Sequence, residues 1–411
     1  MNMNKSTTIG LVLVLAMIIS ACAGPAAGST DEEPVLADLA EGSGYEEFDV
    51  GQDSGIDDLP LLYEGPPVLI EEYVLGIAFP TRMALGPNGE LFVTEKAGSV
   101  RVISPEGELQ PEAVFEVEVD ASGEQGLLGI AISPDYNETG HVWIYYTVSV
   151  ENNEGEISDV FHRIGRFTVD TTSDPLTGGD LEIAWEIRDA FTESTILNGG
   201  DIKFGPEGDL YISVGSTNNI LVHNDRSEPH GKIHRFIPGI PLEPSPENIN
   251  GDSVYAYGFR HAYGFTFHPE TGVMYATENG PDCADEINQV WPGADYGWRE
   301  DGLCEDNNLS EEDYPERFFP PVVYYTPPVS PTGITFYTGD KFPDWQNRML
   351  FCVYNFGEMY WLDLEDDGFT VERSGIIRTG DANCAVDILT GPDGYIYFSD
   401  ITGIHRVVPA E

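Results

Sequence analysis

A turn motif recurs six times along this chain and limits what it can fold into. Gly86-Pro87-Asn88-Gly89 leads into Glu90-Leu91-Phe92-Val93, Gly205-Pro206-Glu207-Gly208 into Asp209-Leu210-Tyr211-Ile212, and Gly391-Pro392-Asp393-Gly394 into Tyr395-Ile396-Tyr397-Phe398. Looser versions stand at Ser133-Pro134-Asp135, His268-Pro269-Glu270 and Tyr337-Thr338-Gly339-Asp340, each ahead of an apolar, β-rich run. Proline presets φ at a turn position and the closing glycine takes the positive φ of a hairpin, so each unit reads as strand, tight turn, strand. The units recur every ~45 to 75 residues, the mark of a radial or stacked repeat. Six units, none able to bury both faces alone, predict an all-β, six-bladed β-propeller.

The N-terminus reads differently. Lys5 precedes an apolar run from Ile9 to Ile19 that ends in Ile19-Ser20-Ala21-Cys22. A charged start, a short apolar core and small residues before a cut describe a secretory signal over residues 1–21, too short for a lasting span. Cysteine directly after Ser-Ala has the form of a bacterial lipobox, which implies cleavage before Cys22 and lipid attachment there. Residues 22–60 are rich in Gly, Ser, Ala, Asp and Glu. They bury too little to offset their ordering entropy and read as an acidic tether. Residues 61–411 then form the propeller. The expected address is extracytoplasmic, with the protein held to the membrane through Cys22.

The chain carries 71 acidic against 19 basic residues. A phosphate backbone would be repelled, which excludes nucleic acid as a general partner. Anionic lipid is disfavoured too, so the acyl anchor has to do the holding. Most of these charges serve solubility, and a subset can attract divalent cations. Beyond Cys22, Cys283, Cys304, Cys352 and Cys384 form an even set, which outside the cytoplasm favours disulfides. Cys283 with Cys304 would staple one loop and Cys352 with Cys384 would link the last two blades; sequence leaves the other pairings open. No close CxxC or neighbouring His pair suggests zinc.

Several segments together resemble one family. They are Gly123-Glu124-Gln125-Gly126-Leu127-Leu128-Gly129, Asn198-Gly199-Gly200-Asp201, Tyr257-Gly258-Phe259-Arg260-His261, Glu278-Asn279-Gly280-Pro281, Asp285-Glu286-Ile287-Asn288 and Pro292-Gly293-Ala294-Asp295-Tyr296-Gly297-Trp298. From about residue 70 to the C-terminus the chain is similar to the glucose/sorbosone dehydrogenases, soluble quinoproteins on a six-bladed propeller that use pyrroloquinoline quinone (PQQ) and calcium. That cofactor carries three carboxylates and an ortho-quinone, so its pocket needs cationic side chains. Calcium polarises the quinone, and a base, usually His, takes the sugar's hydroxyl proton. The resemblance implies that the carbonyls of Gly280 and Pro281 hold the cofactor's calcium, that Glu286 and Tyr296 serve further calcium sites, and that Arg260 faces the cofactor.

The same comparison exposes departures. The position of the catalytic His is Leu197, and leucine accepts no proton. His261 stands where the family prefers Asn, and a cofactor-binding lysine falls on Asn355. Val329 replaces another His, and an Arg-x-Arg-Asp-Val run is replaced by Cys384-Ala385-Val386-Asp387-Ile388. Losing the base and three cations together implies that the pocket has changed use. The favoured reading is a monomeric, calcium-stabilised propeller that binds a carbohydrate or protein ligand without redox chemistry. The alternative is an active PQQ- and calcium-dependent dehydrogenase acting at a sugar's C1, its base relocated to His223, His230, His234 or His261. A weaker alternative is a lactonase-like hydrolase holding calcium through Asn198, Asp201, Asn279 and Asn355.

Overall fold

In a computed structural model the chain divides into Met1–Val50 and Gly51–Glu411. The structure describes residues 67–188, 194–217, 225–298 and 319–410. The signal segment, Cys22, the tether, His223 and Cys304 lie outside them.

The described residues form six antiparallel sheets in chain order, a six-bladed propeller. Blade one runs Pro80–Leu85, Leu91–Glu95, Ser99–Ile103, Phe115–Glu116; blade two Leu127–Ile132, His141–Glu151, Ile157–Asp170, Glu182–Ile187. Blade three is Gly199–Phe204, Leu210–Val214 and Lys232–Ile237, with Glu243–Pro244 and Val254–Tyr257 both pairing its third strand. Blade four is Ala262–Phe267, Met274–Glu278, Asp285–Val290, Val323–Tyr325, and blade five Pro331–Phe336, Met349–Val353, Glu358–Leu364, Val371–Ile377. Blade six takes Ile388–Thr390, Ile396–Ser399 and Gly403–Pro409 from the C-terminus and its outermost strand, Val68–Leu75, from the start of the described chain. Seven residue pairs along that last ladder latch the ring and cover what would be an open edge.

All six repeated motifs connect an innermost strand to the second strand of its blade. Gly89, Gly208 and Gly394 close the tight versions at φ 91°, 93° and 81°. Two of the looser ones are not tight hairpins. Blade two inserts a helical turn, Tyr136–Thr139, ended by left-handed Gly140, and blade five a 3-10 turn, Pro343–Trp345. Trp345 is buried there on Tyr337 and Phe342, so the extra length serves as a plug of apolar area.

The core is six separate seams, one between each pair of neighbouring blades. Second strands are buried on both faces. In His141–Glu151, Val142, Ile144 and Tyr146 enter the seam with blade one while Trp143 and Tyr145 enter the seam with blade three. Such a strand reads as a continuous apolar run, because both phases of its period-two pattern face other protein.

Candidate functional site at the channel mouth

One face of the ring gathers the segments that lead into the innermost strands, and the backbone is strained there. Phe79, Leu197 and Ser330 take φ of 52°, 59° and 53° just ahead of the inner strands of blades one, three and five. Bulky or branched residues in this region are held only by surrounding structure, and such positions cluster at functional sites. Thr217, at φ 49°, donates its N–H to the Leu197 carbonyl at 3.0 Å.

The inner strands bulge where they meet the channel: in blades one to five the register slips at their first residues. The second strand supplies a hydroxyl that accepts the freed N–H in several blades. Thr94 accepts from Arg82, Ser213 from Asp201, Thr277 from Gly264 and Ser399 from Asp387, at 3.0–3.1 Å. Blade five has Cys352 in this place, disulfide-bonded to Cys384 at the lead-in to blade six. Cys283 is also disulfide-bonded, to a partner outside the described residues.

Below the mouth the channel is stopped by charge. Arg82, 3% exposed, donates from Nε to Asp201 Oδ1 at 3.2 Å and from Nη2 to the Tyr263 carbonyl, and its guanidinium lies 4.5 Å from the Tyr263 ring centroid. Lys203 Nζ meets the other Asp201 oxygen, which also accepts from Phe265 N at 2.9 Å. Asp387 Oδ2 accepts from Met83 N at 2.8 Å. Two cations and two carboxylates thus tie blades one, three, four and six together. Burial pushes the Asp387 carboxyl up, opposed by Arg82. At Asp201 burial also pushes upward, but Lys203 and Arg82 outweigh it and hold that carboxyl below its ordinary value.

At the mouth, Arg260 is the principal cation. Its Nη1 donates to the carbonyls of Asn279 (2.8 Å) and Gly280 (2.9 Å), and its guanidinium lies 5.5 Å from the Trp298 ring centroid. Burial lowers its pKa, while Glu278, Glu124 and Asp285 oppose that shift. Glu124, from the lead-in to blade two, accepts the Leu197 N–H at 2.7 Å; burial raises its pKa although the side chain remains open to water. Lys96 Nζ donates to the Ala121 carbonyl at 2.5 Å and lies 5.6 Å from the Phe79 ring.

The other expected residues are placed as follows. His261 is 6% exposed below Arg260, and burial pushes its ring down to about 3, so it is neutral. Leu197 is buried at the rim with Asn198, whose Oδ1 is buried without a hydrogen-bond partner. Asp285 accepts from Gly280 N at 2.8 Å and Ser330 N at 2.6 Å, and burial raises it to about 6. Glu286 receives Asn288 Nδ2 at 3.0 Å and is raised to about 7, chiefly by burial. Tyr296 is at the other end of that strand, its hydroxyl donating to the Gln289 carbonyl (2.7 Å) and accepting from Trp291 N (2.9 Å). Asn355 is exposed beside the buried Val329, bonded to the carbonyl of Pro328 through Nδ2 and of Val329 through its backbone. His230 and His234 are buried between blades two and three. The mouth therefore joins Arg260, Asn279, Gly280, Asp285 and Leu197, and adds Glu124 and Lys96, which carried no role in the sequence reading.

Fold and mouth define the class: a propeller with one strained, polar mouth above a plugged channel. The glucose/sorbosone dehydrogenase family model matches residues 77–403, and the chain belongs to that family. Among relatives, the aldose sugar dehydrogenase YliI of Escherichia coli is 26% identical over 337 residues, covering 77% of this chain and 86% of its own length. Quinoprotein glucose dehydrogenase B of Acinetobacter calcoaceticus is 26% identical over 53% of this chain and 50% of its own length. Two solved structures share the fold: the E. coli soluble aldose sugar dehydrogenase in its apo form (TM-score 0.70, 24% identity, 84% of this chain and 100% of that one) and the PQQ-bound aldose sugar dehydrogenase of Streptomyces coelicolor (TM-score 0.65, 24% identity, 84% and 99%).

Proposed function

We propose that this member of the family is a calcium-stabilised propeller whose mouth binds a carbohydrate or protein ligand without hydride transfer, working outside the cytoplasm on a lipid anchor at Cys22. One observation carries the reading: the Gly280 carbonyl, which the family resemblance assigns to the cofactor's calcium, is bonded to the Arg260 guanidinium. A tethered cation already answers that oxygen and would repel a second one. Among the described residues the mouth's cations are Arg260 and Lys96, both engaged with carbonyls, against the carboxyls of Glu124 and Asp285. A tricarboxylate needs the reverse balance, since each desolvated carboxylate without its cation costs about 2–5 kcal/mol. These residues do not fit PQQ held through calcium at Gly280, and no step is derived through it.

One observation favours the second reading, an active dehydrogenase. Glu124 sits 2.7 Å from the Leu197 N–H with a raised pKa, so a proton acceptor adjoins the position of the missing His. A single experiment separates the readings: titrate the protein with PQQ and calcium, follow cofactor absorbance, and assay aldose-dependent dye reduction. The binding reading expects no uptake at micromolar cofactor. Tight uptake with turnover, abolished in Glu124→Gln, would establish the second.

A further inference from the structure

Three imidazoles and an ammonium group are buried in the seam between blades two and three. His162 stands on Ile157–Asp170 of blade two, Lys232 and His234 on Lys232–Ile237 of blade three, and His230 just ahead of that strand. None of the four is more than 3% exposed. His234 is satisfied on both sides: Nε2 donates to the Pro229 carbonyl at 2.7 Å, and Nδ1 accepts the Ser253 hydroxyl at 3.0 Å. His162 Nδ1 meets Thr147 Oγ1 at 3.1 Å. His230 has neither arrangement, since Nδ1 and Nε2 are both buried with no hydrogen-bond partner. A neutral ring held in this way leaves one donor and one acceptor unanswered, a cost that a leucine would avoid. Packing alone does not account for a histidine there.

The groups that face His230 are cations or can become cations. After burial itself, His162 from blade two and then Lys232 and His234 from blade three oppose a charge on the ring. Lys232 Nζ also donates to the His230 carbonyl at 2.8 Å. From the second strand of blade two, Tyr145 and Thr147 bring only hydroxyl groups. The carboxylates of Asp225, Glu228 and Asp252 act on Lys232, and Asp252 on His234 as well, with Arg226 opposing them at both. Asp252 is itself paired with Arg226 at 2.8 Å. Among the described residues no carboxylate offsets the repulsion at His230. Burial pushes His162 and His234 down to about 4 and His230 to about 3, so all three rings are neutral at pH 7. An unfolded imidazole titrates near 6.5. The closed seam therefore binds fewer protons than an open one, and its stability is complete above that value and falls with pH below it.

We propose that this seam is an acid-operated release for the mouth: charging His162 and His230 beside Lys232 parts blades two and three while the other seams hold. None of the stopper's contacts among the described residues includes a side chain of blade two, so the stopper does not resist the parting. The contacts that shape the mouth cross the same seam. Tyr145 of blade two donates to the Asn198 carbonyl at 3.1 Å, and Glu124, in the lead-in to blade two, accepts the Leu197 N–H at 2.7 Å. Parting the blades breaks both and frees Leu197 from its φ of 59°. Release of a bound ligand rests on the proposed binding role; the opening of the seam does not.

The test is amide hydrogen exchange of the full chain at pH 7 and pH 5, corrected for intrinsic rates. Asp285 and Glu286 also titrate in that range, but in blade four, so the location of the exchange separates them from the rings. Charging one ring is worth about 30-fold between pH 6.5 and 5, so two rings should cut the protection of residues 194–198 and 215–217 by about 10³-fold, with blades five and six unchanged. His230→Leu should recover about 30-fold of that loss. Should it fail to fold, His162→Gln decides by the same recovery. Equal loss in all six blades, no loss at pH 5, or variants that follow wild type would overturn the release. The PQQ titration tests the binding role separately: turnover there would remove the bound ligand from this account and leave the seam to the exchange result.

Discussion

Replacing Arg82 by methionine tests the charge stopper most directly. The substitution keeps an unbranched apolar stem but removes the guanidinium that reaches Asp201 Oδ1 and the Tyr263 carbonyl. The cluster of Arg82, Lys203, Asp201 and Asp387 changes from neutral to one uncompensated negative charge. Asp201 is 1% and Asp387 5% exposed, so water cannot screen the excess. Breaking a buried ion pair from one side costs about 3–5 kcal/mol. With about 2 cal/mol/K of unfolding entropy per residue over ~330 residues, 4 kcal/mol lowers Tm by about 6 °C. Adding Asp387→Asn to Arg82→Met restores neutrality, while the new amide oxygen still accepts from Met83 N. It should therefore recover at least ~1 kcal/mol, a coupling that independent sites would not show. Scanning calorimetry and urea unfolding of the two single variants and the double variant give the cycle. A loss below ~1 kcal/mol in Arg82→Met, or no recovery in the double variant, would refute the idea that electrostatic closure holds these blades together.

Four further outcomes are expected. His162 is 3% exposed and burial depresses it to about 4, so its stabilising effect is complete above the unfolded value near 6.5 and lost as pH falls toward 4. His162→Gln should flatten the slope of stability against pH between 5 and 6 by about 1 kcal/mol per unit, and an unchanged slope in urea titrations would show that the ring is not neutral when folded. A β-carbon on Gly333 would lie 2.5 Å from Asp387 Cα, so Gly333→Ala should cost about 1–3 kcal/mol by thermal melting, whereas at Gly179 the closest atom is 3.4 Å away and Ala there should stay within about 0.5 kcal/mol. Replacing both Cys352 and Cys384 by Ser reopens a loop with a 32-residue separation and should lower stability by about 3–4 kcal/mol, read by chemical unfolding. Because the chain's net charge is −52, raising monovalent salt from 0.05 to 0.5 M should raise Tm; a flat response would show that surface self-repulsion is negligible.

The repeat was legible in the sequence because the turn chemistry is local: Pro and Gly act through their own φ. The longer turns at Tyr136–Thr139 and Pro343–Trp345 were not, since what orders them is burial of Tyr136 and Trp345 against distant residues. A signal for the stopper was present but unread. The residue four places ahead of each repeated turn is Arg82, Gly129, Asp201, Gly264, Gly333 or Asp387. Three charges and three glycines in register mark the innermost ring: the glycines let neighbouring strands approach, as the 2.1 Å from a β-carbon on Gly129 to the Gly200 carbonyl illustrates. At the mouth, the motif containing Arg260 and Gly280 could be read, but not their hydrogen bond, which depends on how two loops of blade four fold back on each other. Glu124 lay within the Gly123–Gly126 motif without a role, because its value comes from Leu197, a residue of another blade.

The latch has a mechanical consequence. Any tension that reaches the propeller along the chain ahead of residue 67 enters through Val68–Leu75, the strand that closes the ring. That strand pairs over seven positions with Gly403–Pro409, and Arg406 fastens it from the side through Glu71 at 2.7 Å. A pull along the strand axis is shared by the whole ladder at once, whereas a pull across it would part the pairs in turn. A load arriving from that side would act on the very strand by which the circle is joined, so its direction would decide whether the ring carries it or opens.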